Sequence, residues 1–190
     1  MDISRARLLR TSRLLFSQRG SDVDPEFVNV LIFDVGGQRH GVPAADVREL
    51  LPALTVTPLP DAAAGVEGVI NLRGMIVPVL SVRHRFGLPA RDVALSDHFI
   101  VIHHRDTLTA LHVDQAVELA RLDAAAIAEV NTEPSEHVTG AGELREKRPR
   151  VAKYCGGMVL LHPAHDLVAS VAVRTLAGRS APDAGGEESP

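Results

Sequence analysis

Tryptophan is absent from this chain, tyrosine and cysteine occur once each, and aromatic residues make up only 3% of it. A core therefore has to be built from Val, Leu, Ile and Ala, and a hydrophobic content of 45% is enough to supply one. The single cysteine, Cys155, rules out an internal disulfide and gives no sign of an oxidising compartment. Few aromatics and a formal net charge of −4 argue against nucleic acid as a partner. Base stacking needs aromatic rings, and tracking a phosphate backbone needs a basic face. Long hydrophobic runs are missing too. In "RLLRTSRLLF" arginines interrupt the apolar residues every few positions. That stretch has neither the apolar core of about 7–15 residues that a signal peptide needs nor the roughly 20 of a membrane span. The expectation is a soluble, cytoplasmic protein.

At 190 residues the chain fits one domain, or two small ones sharing a core, with length left for tails. Residues 1–24 form a basic N-terminal extension, with Arg5, Arg7, Arg10, Arg13 and Arg19 set among leucines at the spacing of a short amphipathic helix. From Phe27 the texture becomes β-branched. "FVNVLIFDV" runs into Gly36-Gly37, a hairpin signal. "PAADVRELLP" (43–52) reads as one or two helical turns, opened by Pro43 and closed by Pro52, with Val47, Leu50 and Leu51 at helical spacing. Two strands are expected over 66–72 and 75–80, followed by a turn at "VRHRFGLP". Residues 98–104, 107–113 and 116–122 read as a three-stranded meander. "DAAAIAEVNTEPSEH" suggests a helical turn and loop, "REKRPR" is a basic block, and 156–172 reads as a strand and then a helix. The composition of 177–190 is that of a disordered tail. Short strands without βαβ alternation point to a mainly β fold of the small-barrel or sandwich kind.

Catalytic motifs are missing. The chain has no phosphate-binding glycine loop, no G-x-S-x-G and no H-E-x-x-H. Cys155 lies in an irregular region, where a lone thiol is usually inert. His162 and His165 share a spacing suited to a metal, but Pro163 places His162 outside the helix. His112 and Asp114 lie two apart in a strand and face the same way, which would suit acid–base chemistry. Neither pair comes with a third group at a recognisable spacing.

What remains is an ordered set of short motifs. "PLPDAAAGVEGVINLRGMIVPVLSVRHRFGL" places Gly68, Asn71, Leu72, Arg73, Gly74 and Pro78 in a pattern that resembles the CheW family of chemotaxis coupling proteins. Val47, Glu49 and Leu50 fit an upstream V-x-E-[IL] signature, while "ALHVDQAVEL" and "TGAGEL" resemble later family segments. The likeness spans about residues 27–172, within a domain placed at 25–176. It implies two intertwined SH3-like β-barrels with a hydrophobic seam and a few short helices. It further implies a non-enzymatic adaptor that needs no cofactor. Such an adaptor binds the regulatory domain of a CheA-type histidine kinase and the cytoplasmic tip of a chemoreceptor, with other CheW-like domains as further partners. Membrane association would come only through receptor arrays. The protein-binding residues implied are Val47, Glu49, Gly68, Asn71, Arg73 and Gly74.

The chain also departs from the family pattern. His40-Gly41-Val42-Pro43 stands where the first barrel usually has an aromatic, Ala110 replaces a common Gly, and His162 stands where Asp or Asn is usual. "REKRPRVAKYCGG" reads as an insertion lengthening a hairpin. These departures leave open an array or decoy protein of a divergent chemosensory system that does not itself support kinase activation.

Arg73 is the residue these readings converge on. Alternation of Ile70 and Leu72 with Asn71 and Arg73 puts it on the polar edge of a strand, with Gly74 supplying a turn. The competing role is an internal strut to a carboxylate such as Glu49 or Glu67. The same alternation predicts burial of Ile70, Leu72, Ile76, Val79, Ile100, Ile102, Leu111 and Val113.

Overall fold

The computed structural model describes residues 26–104, 107–130 and 150–168. The basic extension over 1–24, "TGAGEL", the first five residues of "REKRPR" and the tail over 177–190 lie outside the described residues. Within them the protein is mainly β. Eleven strands form two sheets, with two one-turn helices and two 3-10 turns.

The chain opens with β1 (Phe27–Val35) and β2 (Gln38–Pro43). They pair antiparallel across Gly36-Gly37, whose φ values of 62° and 81° form the tight turn the sequence predicts. The chain then leaves this sheet for β3 (Val47–Pro52), β4 (Val66–Leu72), β5 (Met75–Ser81), β6 (His98–His104) and β7 (Thr107–Val113). It returns through β8 (Gln115–Asp123), β9 (Ile127–Glu129), β10 (Arg150–Tyr154) and β11 (Gly157–Leu161). The strand orders are β8-β1-β2-β11-β10-β9 and β3-β6-β7-β5-β4. The first sheet is thus split by the whole of the second, and this is how the two barrels intertwine. Helix α1 (Val82–Arg85) follows β5, and α2 (Ala164–Val168) follows β11.

Three apolar clusters explain the near-continuous hydrophobic runs. Val30, Ile32, Ala120, Leu122, Ala152 and Val159 fill the first barrel. Ile70, Leu72, Val77, Val79, Phe99 and Val101 fill the second. Between them lies a seam that draws Leu31 and Phe33 from β1, Leu80 from β5, Ile100 and Ile102 from β6, and Leu111 and Val113 from β7. Strands β1 and β6 therefore bury alternate residues on both faces, one face in a barrel and the other in the seam.

Three local expectations are corrected. Residues 43–52 are not a helix: Ala44–Asp46 make a single 3-10 turn, and Val47–Pro52 pair with β6. A bulge between Val47 and Glu49 lets Val47 and Leu50 both face inward, and that spacing imitates a helical period. The meander breaks at its third strand, because β8 crosses over to pair with β1. Ile76 is 66% exposed rather than buried, since it stands opposite Asn71 on the outer face near the hairpin tip. Arg150–Tyr154, within the block that reads as a lengthened hairpin, pairs antiparallel with β11. The turn expected at "VRHRFGLP" contains α1, whose start is capped by Ser81 Oγ accepting from the His84 N–H. "DAAAIAEV" supplies the second 3-10 turn and β9.

Candidate functional site

The hairpin β4–β5 turns on two residues, Arg73 and Gly74, between the paired Leu72 and Met75. Their φ values are +54° and +86°, so the turn is left-handed at both positions. Arg73 therefore sits in the turn itself and not on the strand. A side chain in this conformation costs roughly 1–2 kcal/mol where Gly or Asn would cost less. The Gly74 N–H donates to Asn71 Oδ1 at 2.7 Å, which pins the turn from within the strand. Arg73 Nη2 donates to Glu49 Oε1 at 2.6 Å.

Glu49 lies on β3 and Arg73 at the end of β4, the two edge strands of the second sheet. Their contact is possible only because the sheet curls until its edges meet. Sequence reading named both residues; the curvature brings them together. The Arg73 side chain is 72% exposed and Glu49 18%. An ion pair with one partner so exposed contributes about 0–1 kcal/mol, too little for a structural strut. Exposed Met75 and Ile76 follow the turn, and Ile76 lies out of step with the buried Val77 and Val79.

Val47 and Gly68 occupy different positions. Val47 is buried in the seam, where it holds β3 in place behind Glu49. Gly68, at φ +146°, lies so close to the neighbouring chain that an added Cβ would stand 2.2 Å from the Thr57 carbonyl oxygen. That close approach allows the Thr57↔Val69 bridge beside β4. Gly68→Ala should lower the melting temperature clearly, since the φ alone costs about 1–3 kcal/mol for a side chain. An unchanged melting curve would show that this approach is dispensable.

Away from the hairpin, buried and half-buried charges form one connected network. His112 does not pair with Asp114. Its Nδ1 donates to Glu67 Oε2 at 2.7 Å and its Nε2 to Asp97 Oδ2 at 2.9 Å. Two acceptor-only neighbours call for both ring N–H groups, so His112 is held as an imidazolium. Burial opposes that charge, but the bonds to Glu67 and Asp97 outweigh it and raise the His112 pKa. Asp97 is fully buried and takes two further bonds from Arg91, each 2.8 Å, and one from the Ala94 N–H. Burial pushes its carboxyl up, yet these donors hold it at about 2. Arg91 goes on to Asp114, which also receives Arg83 Nη1 and the Gly36 N–H. The network thus runs from β4 of one barrel to the β1–β2 turn of the other.

A second histidine pair lies against the seam. His40 Nδ1 and His162 Nε2 are 3.0 Å apart, and the Phe86 ring stacks on His40 with centroids 4.4 Å apart. Burial, and then repulsion of the protonated ring (by a protonated His162 for His40, by Arg85 for His162), lowers both pKa values to about 4. A histidine held below its ordinary value contributes stability that is present above about pH 6.5 and lost as pH falls toward 4. His40→Phe, which keeps the ring stack, should remove up to about 3 kcal/mol of that acid sensitivity. Urea titrations at pH 7 and pH 4.5 check this. An equal loss in both proteins would show that His40 does not carry the effect.

The fold and the hairpin tip define a twin-barrel module that presents a pinned, cationic turn flanked by apolar side chains. The chain belongs to the CheW-like domain family, whose profile matches residues 29–169. The chemotaxis protein CheW of Helicobacter pylori is 28% identical over 97 residues, which are 51% of this chain and 59% of that protein. The match thus spans less than two thirds of that relative. CheW of Treponema pallidum is 28% identical over 124 residues, 63% of this chain and 71% of the relative. The crystal structure of a scaffolding protein, CheW from Thermoanaerobacter tengcongensis, superposes with a TM-score of 0.59 at 26% identity, covering 74% of this chain and 91% of that one.

Proposed function

We propose that this protein is a non-enzymatic adaptor that links chemoreceptors to a CheA-type histidine kinase, with Arg73 as its presented anchor. The observation that carries the reading is the left-handed Arg73: an exposed arginine kept in a costly conformation and steadied by Glu49. Strained turn residues gather at functional sites, and arginine is enriched among binding hot spots. Glu49, Asn71 and Gly74 complete the surface, while Val47 and Gly68 hold its frame. Family membership and a structural relative described as a scaffolding protein support the adaptor role. Both ring nitrogens of His112 are bound to carboxylates, which argues against its use as an acid or base. No helix among the described residues is long and apolar enough to cross a membrane, and the adaptor works on the cytoplasmic side at receptor arrays.

Arg73→Glu tests this reading. Losing an interface arginine removes about 2 kcal/mol or more, a roughly thirtyfold drop in affinity for the kinase regulatory domain or a receptor tip. Sign reversal should do more than truncation, because repulsion is added to the missing bond. Melting should change little, given the exposure of the pair. A destabilised variant whose folded fraction binds normally would overturn the anchor role.

A further inference from the structure

Beside α1 and α2 the surface opens into a cavity of about 150 Å3, lined by residues that include Gly65, Leu80, Ser81, His84, Arg85 and Leu167. Its two ends differ in character. Leu80 and Leu167 are buried and belong to the seam between the barrels, which makes the floor apolar. His84 and Arg85 are exposed, which makes the rim cationic. Among the described residues neither side chain forms an ion pair, and the carboxylate on α2, Asp166, lies 2.9 Å from His165. Pockets for free metabolites usually enclose about 300–1,000 Å3, so this one fits a side chain or two of a peptide instead.

The chain itself supplies a peptide of matching charge. The last described residue, Val168, packs against the seam directly after Leu167 of the cavity wall. Beyond it, residues 177–190 carry Asp183, Glu187 and Glu188 against one basic residue, Arg179. Ala181, Pro182 and Ala184 around the first carboxylate are small enough for the floor. A fully extended chain from Val168 to Asp183 covers at most about 50 Å, so these carboxylates stay within reach of the rim. Tethering of this kind gives an effective concentration of the order of millimolar.

We propose that this cavity is the docking site of the chain's own acidic C-terminal segment, residues 177–190, whose carboxylates pair with Arg85 and His84 across the seam. The idea goes beyond the adaptor role and does not depend on it. Exposed pairs are weak and screened by salt, so the segment is a reversible cap that a partner entering the seam would displace.

The test uses the full chain and a variant carrying Asp183→Lys, Glu187→Lys and Glu188→Lys, compared by NMR of the His84 ring and the Leu80 and Leu167 methyl groups. Docked carboxylates would bond the His84 ring, so its ring signals should differ between the natural chain and the variant. The methyl shifts should differ between the two proteins, and both differences should vanish at about 0.5 M salt, where the Debye length is only a few ångströms. Arg85→Glu in the natural chain should bring the same loss. Indistinguishable His84 ring signals and methyl shifts would overturn the proposal. A difference that grows with protein concentration would overturn it too, because the cavity would then be taking the tail of a second copy.

Discussion

Replacing Asp97 by alanine should destabilise the protein by about 3–5 kcal/mol, the cost of removing one partner from a buried ion pair. Five donors stand around this carboxylate: both Nη groups of Arg91, the Ala94 N–H, His112 Nε2 and the Ser96 hydroxyl. Arg91 is partly exposed and finds water when the carboxylate is gone, whereas His112 is only 2% exposed and does not. His112 should then hold its proton less tightly, since Glu67 alone has to balance both its charge and its burial. Its raised pKa gives a stability contribution that is complete below about pH 6.5 and lost as pH rises through the raised value, so the variant should lose this alkaline sensitivity. Chemical denaturation at pH 6 and pH 9, with the His112 ring followed by NMR, checks both statements. A loss below about 1 kcal/mol would mean that the network is dispensable to the pairing of the barrels.

Leu111→Ala should cost about 2–5 kcal/mol, the usual range for a fully buried leucine. Leu111 is completely buried, and its side chain points into the seam and not into either barrel. The cavity left behind would lie between two units that each keep their own interior, which limits how far either can collapse into it. Against a total of about 5–15 kcal/mol, such a loss should be plain in a urea titration. Ile76→Ala serves as the internal control, because an exposed position should stay within about 0.5 kcal/mol. Similar values for the two would mean that β7 packs differently against the seam. A slip of one residue along β7 would not simply expose Leu111, since Ala110 on the other face is buried as well.

Much of the hairpin tip was legible in the sequence. Asn71, Arg73, Gly74 and Glu49 stand out because a polar group inside an apolar run needs a reason, and the local rules of turns supply part of it. The strand bounds of β1, β4, β6 and β7 follow from β-branched runs closed by glycine or a polar turn. Where the reading failed, a non-local contact had overridden a local pattern. Val47–Pro52 has helical spacing, but β6 offers a full row of backbone partners, and a bulge absorbs the extra residue. Ile76 falls out of step with the buried Val77 and Val79, so its side chain lies on the outer face opposite Asn71.

The sequence by itself determined the composition of the core, most of the strands and the glycine turn after β4, because propensity and alternation act over a few neighbouring residues. Only the tertiary structure decided that β8 leaves its neighbour for β1, and that Glu49 and Arg73 meet although they come from opposite edges of one sheet. It alone joined Glu67, Asp97 and His112, and paired His40 with His162. These partners lie far apart along the chain, and no local preference records which distant strand a given edge will find. That choice is made by the burial of two barrels against each other, where every charged group taken from water must find its partner in the same step.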